Sequence, residues 1–372
     1  MTGESTVPLH ANKDTTNQLP HYKITTYLSL QIPIMSTLPS KMHSIIQQTA
    51  SSQTLTLTTT PLPTPAHTQG EHLIQIKACS PCAGELLWPK NFPPPTERTL
   101  IPCPDMAGIV ISAPPDSPFQ PGDEVYARTN YIRPGNARGY SIAVTDELAH
   151  KPKSLSWVAA AAIPVSAQTA WQVLLVHALG TQGSDGTDLE AAKVAWAGKR
   201  VLVTAASGGV GIWLVQLATL LGAEVVATCG TRNVEFVKSL GAKEVLDYRV
   251  VDLKEWAQSS ANKVDVVVDC VGGKALGDAW WTVKDSGVVL SICQPPLQVR
   301  PHGLEGERVK DLFFIMQPVR RQLEEISKVV EKGLCRGFVD SVWPLEQYEE
   351  AFKRLDGGHA KGKIVFDLSL NH

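Results

Sequence analysis

The residues best suited to chemistry lie in a glycine-rich stretch near the middle of the chain. An apolar run, residues 200–205, leads into Ser207-Gly208-Gly209, and apolar residues at helical spacing follow at once. A strand, a glycine turn and a helix in this order expose backbone N–H groups and a positive helix end, which together bind a diphosphate. Gly208 would let the backbone approach that diphosphate, and Gly211 would let the helix pack closely on the strand. The stretch predicts a dinucleotide site, although Ala206 replaces the first expected glycine; a turn that only packs a helix on a sheet is the alternative.

The end of the next predicted strand indicates which dinucleotide is bound. An NAD site places a carboxylate there, about 20 residues after the turn, to hold the ribose 2′-hydroxyl. The run Thr228-Cys229-Gly230-Thr231-Arg232-Asn233 has no carboxylate, and a guanidinium such as that of Arg232 pairs well with a 2′-phosphate. The run therefore favours NADP(H). The alternative for Arg232 is a solvated residue in the first turn of a helix.

The elements that would position these residues change in character along the chain. Short β-rich runs dominate up to about residue 150, and strands then alternate with helices, which implies a parallel sheet of βαβ units. The predicted strands are 44–48, 55–59, 72–78, 107–112, 124–127, 140–144, 200–205, 224–228, 244–247, 264–270, 288–292 and 363–368. The predicted helices are 157–179, 210–221, 233–240, 254–261 and 320–332.

Composition limits the classes of partner. The chain has 372 residues and a formal net charge of −2, without a basic stripe for nucleic acid, and its longest apolar runs, around Val201 and Val288, are shorter than a membrane span. Seven cysteines scattered along a long chain favour a reducing compartment over a disulfide framework. Residues 1–41 differ from the rest and read as an extension. Because a mitochondrial presequence should be rich in Arg and poor in acids, we expect a cytoplasmic location rather than a mitochondrial one.

Several motifs together resemble the medium-chain dehydrogenase/reductase superfamily, in particular its zinc-independent quinone oxidoreductase and enoyl reductase branch. The resemblance spans residues 42–368, and the run Cys82-Ala83-Gly84-Glu85-Leu86-Leu87-Trp88 is similar to fungal enoyl reductases. The other motifs that carry it are Pro121-Gly122-Asp123-Glu124-Val125, Thr169-Ala170-Trp171, Ala205-Ala206-Ser207-Gly208-Gly209-Val210-Gly211, Ser239-Leu240-Gly241-Ala242-Lys243-Glu244-Val245-Leu246-Asp247-Tyr248, Asp269-Cys270-Val271-Gly272 and Gly362-Lys363-Ile364-Val365.

The resemblance implies an α/β fold with two domains and the active site between them. A GroES-like β domain would comprise residues 42–165 and 310–372, and a doubly wound Rossmann domain would comprise residues 166–309. By the same resemblance, the cofactor would contact residues that follow several strands of the parallel sheet. These are Thr169, Ser207, Gly208, Gly209, Val210, Gly211, Thr231, Arg232, Tyr248, Val271, Gly272 and Lys363. Homodimers through the edge strand of the Rossmann domain are also implied.

The zinc-dependent relatives bind metal through a Cys, a His in a Gly-His-Glu motif and a further ligand. Cys82 falls at the first of these places, but Cys103-Pro104-Asp105 replaces the Gly-His-Glu motif and Val165 falls at the third. A catalytic zinc needs about three protein ligands, so we expect no metal.

Without a Lewis acid, hydride addition to a conjugated C=C bond or a quinone is the easier reaction, because the carbonyl of the substrate spreads the developing charge. Such a reaction needs a hydrogen-bond donor and a proton source. Tyr131 is the favoured donor because a tyrosine of the β domain has this role in some relatives; an aromatic residue packed under a loop is the alternative. Trp88 and Phe92 either line an apolar pocket or fill the core. Arg133 and Arg138 are expected at the surface.

The sequence thus predicts an NADPH-dependent, zinc-independent reductase that transfers hydride to an α,β-unsaturated carbonyl compound or a quinone, and a secondary-metabolite pathway is one setting for such an enzyme. An NADPH-binding protein with little turnover, such as a redox sensor or a crystallin-like stabiliser, is the alternative.

Overall fold

The computed structural model describes residues 38–179, 186–304 and 308–370. The chain divides into two compact units, Met1–Leu38 and Pro39–His372, and every helix and strand named below lies in the second. Most of the predicted extension, residues 1–41, therefore lies outside the described residues. Its predicted end is slightly too late, because Lys41 already begins the first strand.

Six strands and one branch strand form a mainly antiparallel sheet built from both ends of Pro39–His372. Its order is β14-β15-β3-β4-β5-β7, with β6 paired to the outer part of β3. A separate antiparallel pair, β1 and β2, completes this β domain. The strands are β1 Lys41–Gln47, β2 Leu55–Pro61, β3 Glu71–Ser80, β4 Asp105–Ser112, β5 Glu124–Arg128, β6 Tyr140–Val144, β7 Leu148–His150, β14 Val339–Trp343 and β15 Lys363–Asp367.

The second sheet has six parallel strands in the order β10-β9-β8-β11-β12-β13. They are β8 Arg200–Val203, β9 Glu224–Cys229, β10 Glu244–Asp247, β11 Val264–Asp269, β12 Val283–Ser291 and β13 Lys310–Phe313. This is the doubly wound order of dinucleotide-binding domains, with the first strand, β8, near the centre. Apolar residues dominate β8, β9 and β11 because helices cover both faces of the sheet. The predicted fold class is confirmed.

The helices are α1 Trp88–Asn91, α2 Trp157–Ala161, α3 Pro164–Gln172, α4 Leu189–Trp196, α5 Gly209–Leu220, α6 Val234–Ser239, α7 Leu253–Trp256, α8 Gly273–Ala279, α9 Arg320–Glu331 and α10 Tyr348–Asp356. The single predicted helix over 157–179 is wrong: it is split at Ile163-Pro164 and continues beyond α3 as a π turn, Val173–His177. Proline has no N–H to continue α2, and it suits the first turn of α3.

The stretch Trp157–His177 is long and apolar enough to cross a membrane by length and composition alone. In the folded unit, 89% of its most apolar window is buried, against α5 and the parallel sheet. Burial in the protein core therefore accounts for its apolar character.

The predicted boundary between the two domains, at residues 309 and 310, needs correction. Strand β13 begins at Lys310 and pairs with β12, so the parallel sheet extends to Phe313. The return to the antiparallel sheet comes only with β14, which pairs with β15.

Candidate active site

The glycine turn has the geometry that its sequence predicts. Strand β8 ends at Val203, Ala205 adopts a left-handed conformation (φ 49°), and α5 begins at Gly209. A Cβ atom on Gly211 would lie 2.3 Å from the carbonyl oxygen of Ala205, so only glycine fits where the helix crosses the turn. The N-terminal N–H groups of α5 are thereby held next to the carboxyl end of β8, as a diphosphate requires.

The C-terminal strand covers this turn from the β domain. The N–H of Gly362 donates to the carbonyl oxygen of Ser207 (3.1 Å), and Gly208 and Gly362 form an isolated parallel bridge. A Cβ atom on Gly209 would lie 2.9 Å from Ser166 Oγ and 3.2 Å from Lys363 Cδ. The two domains therefore meet at the glycine turn, and any ligand of the turn binds at their junction.

The segments after β9 and β10 contain one predicted cation, Arg232, and a second, Arg249, that the sequence did not suggest. Arg232 and Tyr248 are exposed, and the Tyr248 hydroxyl and Arg249 Nε would lie 3.2 and 3.8 Å from a Cβ atom on Gly230. Asp247, at the end of β10, is the nearby carboxylate. It accepts the N–H of Arg249 (3.0 Å), and its hydrogen bond with Thr231 holds its pKa below the ordinary value.

Among the described residues, Arg232 makes no ion pair and Arg249 makes none with its side chain. Ser207 Oγ bonds Asn233 Nδ2 at 2.9 Å, which joins the glycine turn to the start of α6. Arg249 thus lies beside Gly230, and Arg232 follows Gly230 by two residues, where a 2′-phosphate would need cations.

A buried carboxylate, Asp269, organises the carboxyl ends of three strands. It accepts hydrogen bonds from Thr204 Oγ1 (2.9 Å) and Ser291 Oγ (2.9 Å), and from the N–H groups of Gly272 (2.8 Å) and Val271 (3.2 Å). Gly272 has φ 81°, and a Cβ atom there would lie 2.9 Å from Gln294 Oε1. Asp269 therefore holds the predicted Val271-Gly272 segment in place, and Val271 is 52% exposed at this edge. From the sequence alone, Asp269 was only the first residue of the motif Asp269-Cys270-Val271-Gly272.

Lys363 lies in a buried polar cluster between the two domains. Its Nζ atom contacts the carbonyl oxygen of Pro81 (2.6 Å), Cys82 Sγ (3.6 Å) and Asp105 Oδ2 (3.2 Å). Asp105 Oδ1 accepts the N–H of Val165 at 2.7 Å. Thr169, one turn further along α3, donates its hydroxyl to the carbonyl of Val165 (2.6 Å) and is buried. Lys363 thus lies next to the turn, and the polar groups of Lys363 and Thr169 bond mainly within the protein.

This cluster does not suit a zinc ion. An ammonium group lies beside Cys82, and burial raises the pKa of the Cys82 thiol to about 12, so the thiolate that would bind zinc is not favoured. At the other two ligand positions of the zinc-dependent relatives stand Pro104 and Val165, which offer no metal-binding side chain. In the part of the chain that the structure describes, no group of three His, Cys, Asp or Glu residues could hold a metal ion. The expectation of a metal-free site stays a prediction.

Tyr131 and Trp88 line one cavity of the β domain, with their rings edge to face at 6.1 Å. The same cavity is bordered by Glu85, Cys103 and Pro104, the residues next to the Lys363 cluster. The Tyr131 hydroxyl donates to the carbonyl oxygen of Phe92 (2.8 Å). Tyr131 therefore lines this cavity of the β domain, but its proton is used within the protein.

The expectation that Arg133 and Arg138 lie at the surface is wrong. The Arg138 side chain is 6% exposed, and Arg133 pairs with the buried carboxylate of Glu147. Both belong to the loop that follows β5, where buried polar groups need hydrogen-bond partners.

Comparison with known proteins agrees with this architecture. Residues 240–366 match the family described as zinc-binding dehydrogenase. The chain is 46% identical over 325 residues to "Probable zinc-binding oxidoreductase, mitochondrial" from Arthroderma benhamiae, a match that covers 87% of this chain and 96% of that protein. It is 34% identical over 285 residues to "Chloroplast envelope quinone oxidoreductase homolog" from Arabidopsis thaliana, covering 75% of this chain and 81% of that protein.

Among solved structures, the quinone oxidoreductase from Coxiella burnetii superposes with a TM-score of 0.72 at 25% identity, covering 88% of this chain and 99% of that one. Relatives with these names, together with the glycine turn, identify an oxidoreductase that uses a nicotinamide cofactor. The chain belongs to the quinone oxidoreductase-like branch of the medium-chain dehydrogenase/reductase superfamily.

Proposed function

We propose that the protein is an NADPH-dependent reductase of α,β-unsaturated carbonyl compounds or quinones that works without zinc. The observation that carries the proposal is the end of β9, where no carboxylate stands. There Arg232 follows Gly230 by two residues, and Arg249 Nε would lie 3.8 Å from a Cβ atom on Gly230. A 2′-phosphate there would be met by two cations. Asp247 does not oppose it directly, since its carboxylate is engaged by Thr231 and the Arg249 N–H.

Each part of the cofactor has a candidate partner in the chain. The N–H groups at the start of α5, from Gly209 to Gly211, would hold the diphosphate, and Tyr248 would contact the adenosine. Val271 and Gly272 would contact the nicotinamide ribose, at the edge that Asp269 organises. When bound, NADPH supplies a hydride.

The residues of the β domain would then handle the charge and the proton. Hydride addition to a conjugated carbonyl compound leaves an enolate, whose oxygen needs a hydrogen-bond donor. In the proposal Tyr131 is that donor, which requires its hydroxyl to leave the carbonyl of Phe92 and turn into the cavity. The buried Lys363, Asp105 and Cys82 cluster fixes the floor of the cleft and keeps metal ions out.

A panel of substrates tests the proposal. We expect enones, enoyl thioesters or quinones to accelerate the oxidation of NADPH, followed at the absorbance of the reduced nicotinamide, with no stoichiometric metal in the same sample. NADPH binding without oxidation by any member of the panel would favour instead a nucleotide-binding protein with little turnover. Stoichiometric zinc that is needed for activity would contradict the metal-free mechanism.

The cellular location also belongs to the proposal. We predict the cytoplasm from the sequence, whereas the names of several relatives place those proteins in mitochondria or chloroplasts. These names favour an organelle for this protein as well. A role in a secondary-metabolite pathway is a further part of the proposed reductase function.

A further inference from the structure

A second cavity of the β domain, here called the β3 cavity, has a volume of about 290 Å³. Its walls come from β1, β3 and β6 and from the chain that follows β15, and none of the residues predicted to contact the cofactor lines it. His43 and Ser369 in its lining are exposed, so small solutes can reach it. The volume corresponds to roughly ten water molecules, which is room for a small organic ligand.

Lys77 lines the β3 cavity from an irregular point of its strand. The pairing of β3 with β4 shifts between Ile76 and Ala78, so Lys77 has no partner residue on β4. The pairing of β3 with β6 ends at Gln75, and that with β15 begins at Ala78, so Lys77 has no partner residue on this side either. Bulges of this kind re-aim a side chain, and this one gives the cavity an ammonium group.

The β3 cavity presents hydrogen-bond donors that the protein itself hardly uses. Among the described residues, the side chains of Lys77 and His43 make no hydrogen bond and no ion pair. Gln75 Nε2 reaches the Tyr140 hydroxyl only at 3.5 Å, and that hydroxyl keeps its own proton for another acceptor. No Asp or Glu of the described chain lines the cavity.

The acid next to the cavity does not neutralise Lys77. Asp367 lies opposite Ala78 on β15, but its Oδ1 atom accepts the N–H and the hydroxyl of Ser369, at 2.9 and 2.7 Å. It forms no ion pair with Lys77. An ammonium group without an acidic partner, beside further donors, attracts an anion.

The arrangement of the donors suits a phosphate group better than a carboxylate. The donors come from three strands, β1, β3 and β6, and so from more than one direction. A phosphate monoester offers three acceptor oxygens and nearly two negative charges near pH 7, whereas a carboxylate offers two oxygens and one charge. The rest of the lining is mainly apolar and would contact the organic group of the ester: Ile76, Leu345 and Leu368.

We propose that the β3 cavity binds a phosphate monoester with a small apolar group, and that Lys77 is the cation that holds the phosphate. Tyr140, Gln75 and His43 donate further hydrogen bonds to it. This site is additional to the cofactor site. It does not depend on the proposed reductase function, because neither the nicotinamide nor hydride transfer takes part in it.

Calorimetric titration of the full chain with phenyl phosphate, benzoate and phenol tests the proposal. We expect phenyl phosphate to bind most tightly, and Lys77→Met to weaken it by about tenfold or more, as loss of a charge-assisted hydrogen bond would. Lys77→Arg, which keeps the charge, should retain most of the affinity. Lys90→Met removes the same charge from an exposed position of α1 and should leave the affinity unchanged. Excess NADP⁺ should not compete with phenyl phosphate.

Methyl NMR spectra locate the bound probe. Phenyl phosphate should shift the methyl signals of Ile76 and Leu368 and leave those of Val271, at the cofactor edge, unchanged. Tyr140→Phe keeps the ring and should weaken binding roughly threefold, as loss of one neutral hydrogen bond would. This variant and the methyl shifts decide the question if Lys77→Met does not fold.

Several results would overturn the proposal. Wild-type affinity in Lys77→Met, or an equal loss in Lys90→Met, would show that Lys77 does not hold the phosphate. Competition by NADP⁺, or unchanged methyl signals of Ile76 and Leu368, would place the probe in another site. Benzoate that binds as tightly as phenyl phosphate would contradict the assignment to a phosphate group.

Discussion

At the scale of single residues, two arginines that follow different strands lie at the same edge of the parallel sheet. Arg232 follows β9 and Arg249 follows β10, and these strands are adjacent and parallel, so both side chains emerge at the same sheet edge. Arg232 was predicted from the missing carboxylate at the end of β9. Arg249 was not, because a single sequence does not show which strands are neighbours.

We predict that Arg232→Ala and Arg249→Ala each weaken NADPH binding far more than NADH binding. Loss of one charge-assisted contact to a phosphate should cost about 1.5–3 kcal/mol, or roughly 10- to 150-fold in Kd. Fluorescence titration of the reduced nicotinamide measures both affinities. Equal losses for the two cofactors would show that the arginine does not contact the 2′-phosphate, and Arg308→Ala serves as a surface control.

Glu85 gives a second prediction at this scale. Glu85 is 6% exposed, and burial raises the pKa of its carboxyl from 4.5 to about 8. The N–H of Cys103 and the charge of Lys363 lower this pKa, and the charge of Asp105 raises it. The folded state therefore keeps a proton that the unfolded chain has lost. The resulting stabilisation is complete below pH 4.5 and decreases as the pH rises towards 8, by up to about 1.4 kcal/mol per pH unit.

Glu85→Gln should remove this dependence. We expect the free energy of unfolding of the wild type, from urea titrations at a series of pH values, to fall more steeply between pH 4.5 and 8 than that of the variant. Glu349→Gln, at an exposed position of α10, should keep the wild-type slope. The same slope in Glu85→Gln would mean that Glu85 is ionised in the folded protein.

At the scale of elements, strands with a long apolar run were predicted from the sequence, and short, charged edge strands were not. The inner strands β8, β9 and β11 were found because a strand covered on both faces is a continuous apolar run. Strand β13, with the sequence Lys-Asp-Leu-Phe, was missed because it is short, lies at an edge and carries two charges. The cofactor loop was predictable from its glycines, whereas the Asp105 and Lys363 pair depends on a contact between distant strands.

The junction of β8 and α5 supports a prediction for Gly211→Ala. The added methyl group would lie 2.3 Å from the carbonyl oxygen of Ala205, so α5 must shift away from the turn. We expect a loss of about 1–3 kcal/mol in the free energy of unfolding and weaker binding of both nicotinamide cofactors. At Gly357 the nearest atom would be 3.4 Å away and φ is −60°, so Gly357→Ala is the matched control. Wild-type cofactor affinity in Gly211→Ala would show that the turn does not form the site.

At the scale of the whole molecule, one apolar core ties the two sheets together. Ala78, Ala107 and Tyr126 of the antiparallel sheet lie in the same buried cluster as Trp171 and Trp213 of the helices beside the parallel sheet. The Tyr126 hydroxyl also bonds Ser327 Oγ on α9 at 2.7 Å. The cleft walls are therefore joined by close packing, which favours a site already formed before the substrate binds.

The edge strand β13 gives the prediction at this scale, because the described residues include no second strand beside it. The N–H of Phe314 donates to the carbonyl of Ser291 on β12 (3.4 Å), so by strand alternation the N–H of Asp311 points away from β12. An open row of N–H and C=O groups is a ready site for pairing with another strand. We predict a two-fold symmetric homodimer in which two copies of β13 pair, with a solution mass of about twice the 40.3 kDa chain.

Light scattering after size exclusion measures this mass directly. Asp311→Pro removes the outward N–H and should shift the protein towards the monomer, whereas Asp311→Ala, which keeps the N–H, should remain dimeric. A wild-type protein that stays monomeric at high concentration would contradict the prediction. A dimer that survives Asp311→Pro would place the interface on another surface. Strand β13 pairs with β12, which carries Ser291, so a β13 interface would also stiffen the sheet edge that holds Val271 and Gly272. The monomeric variant should therefore bind the cofactor more weakly than Asp311→Ala does.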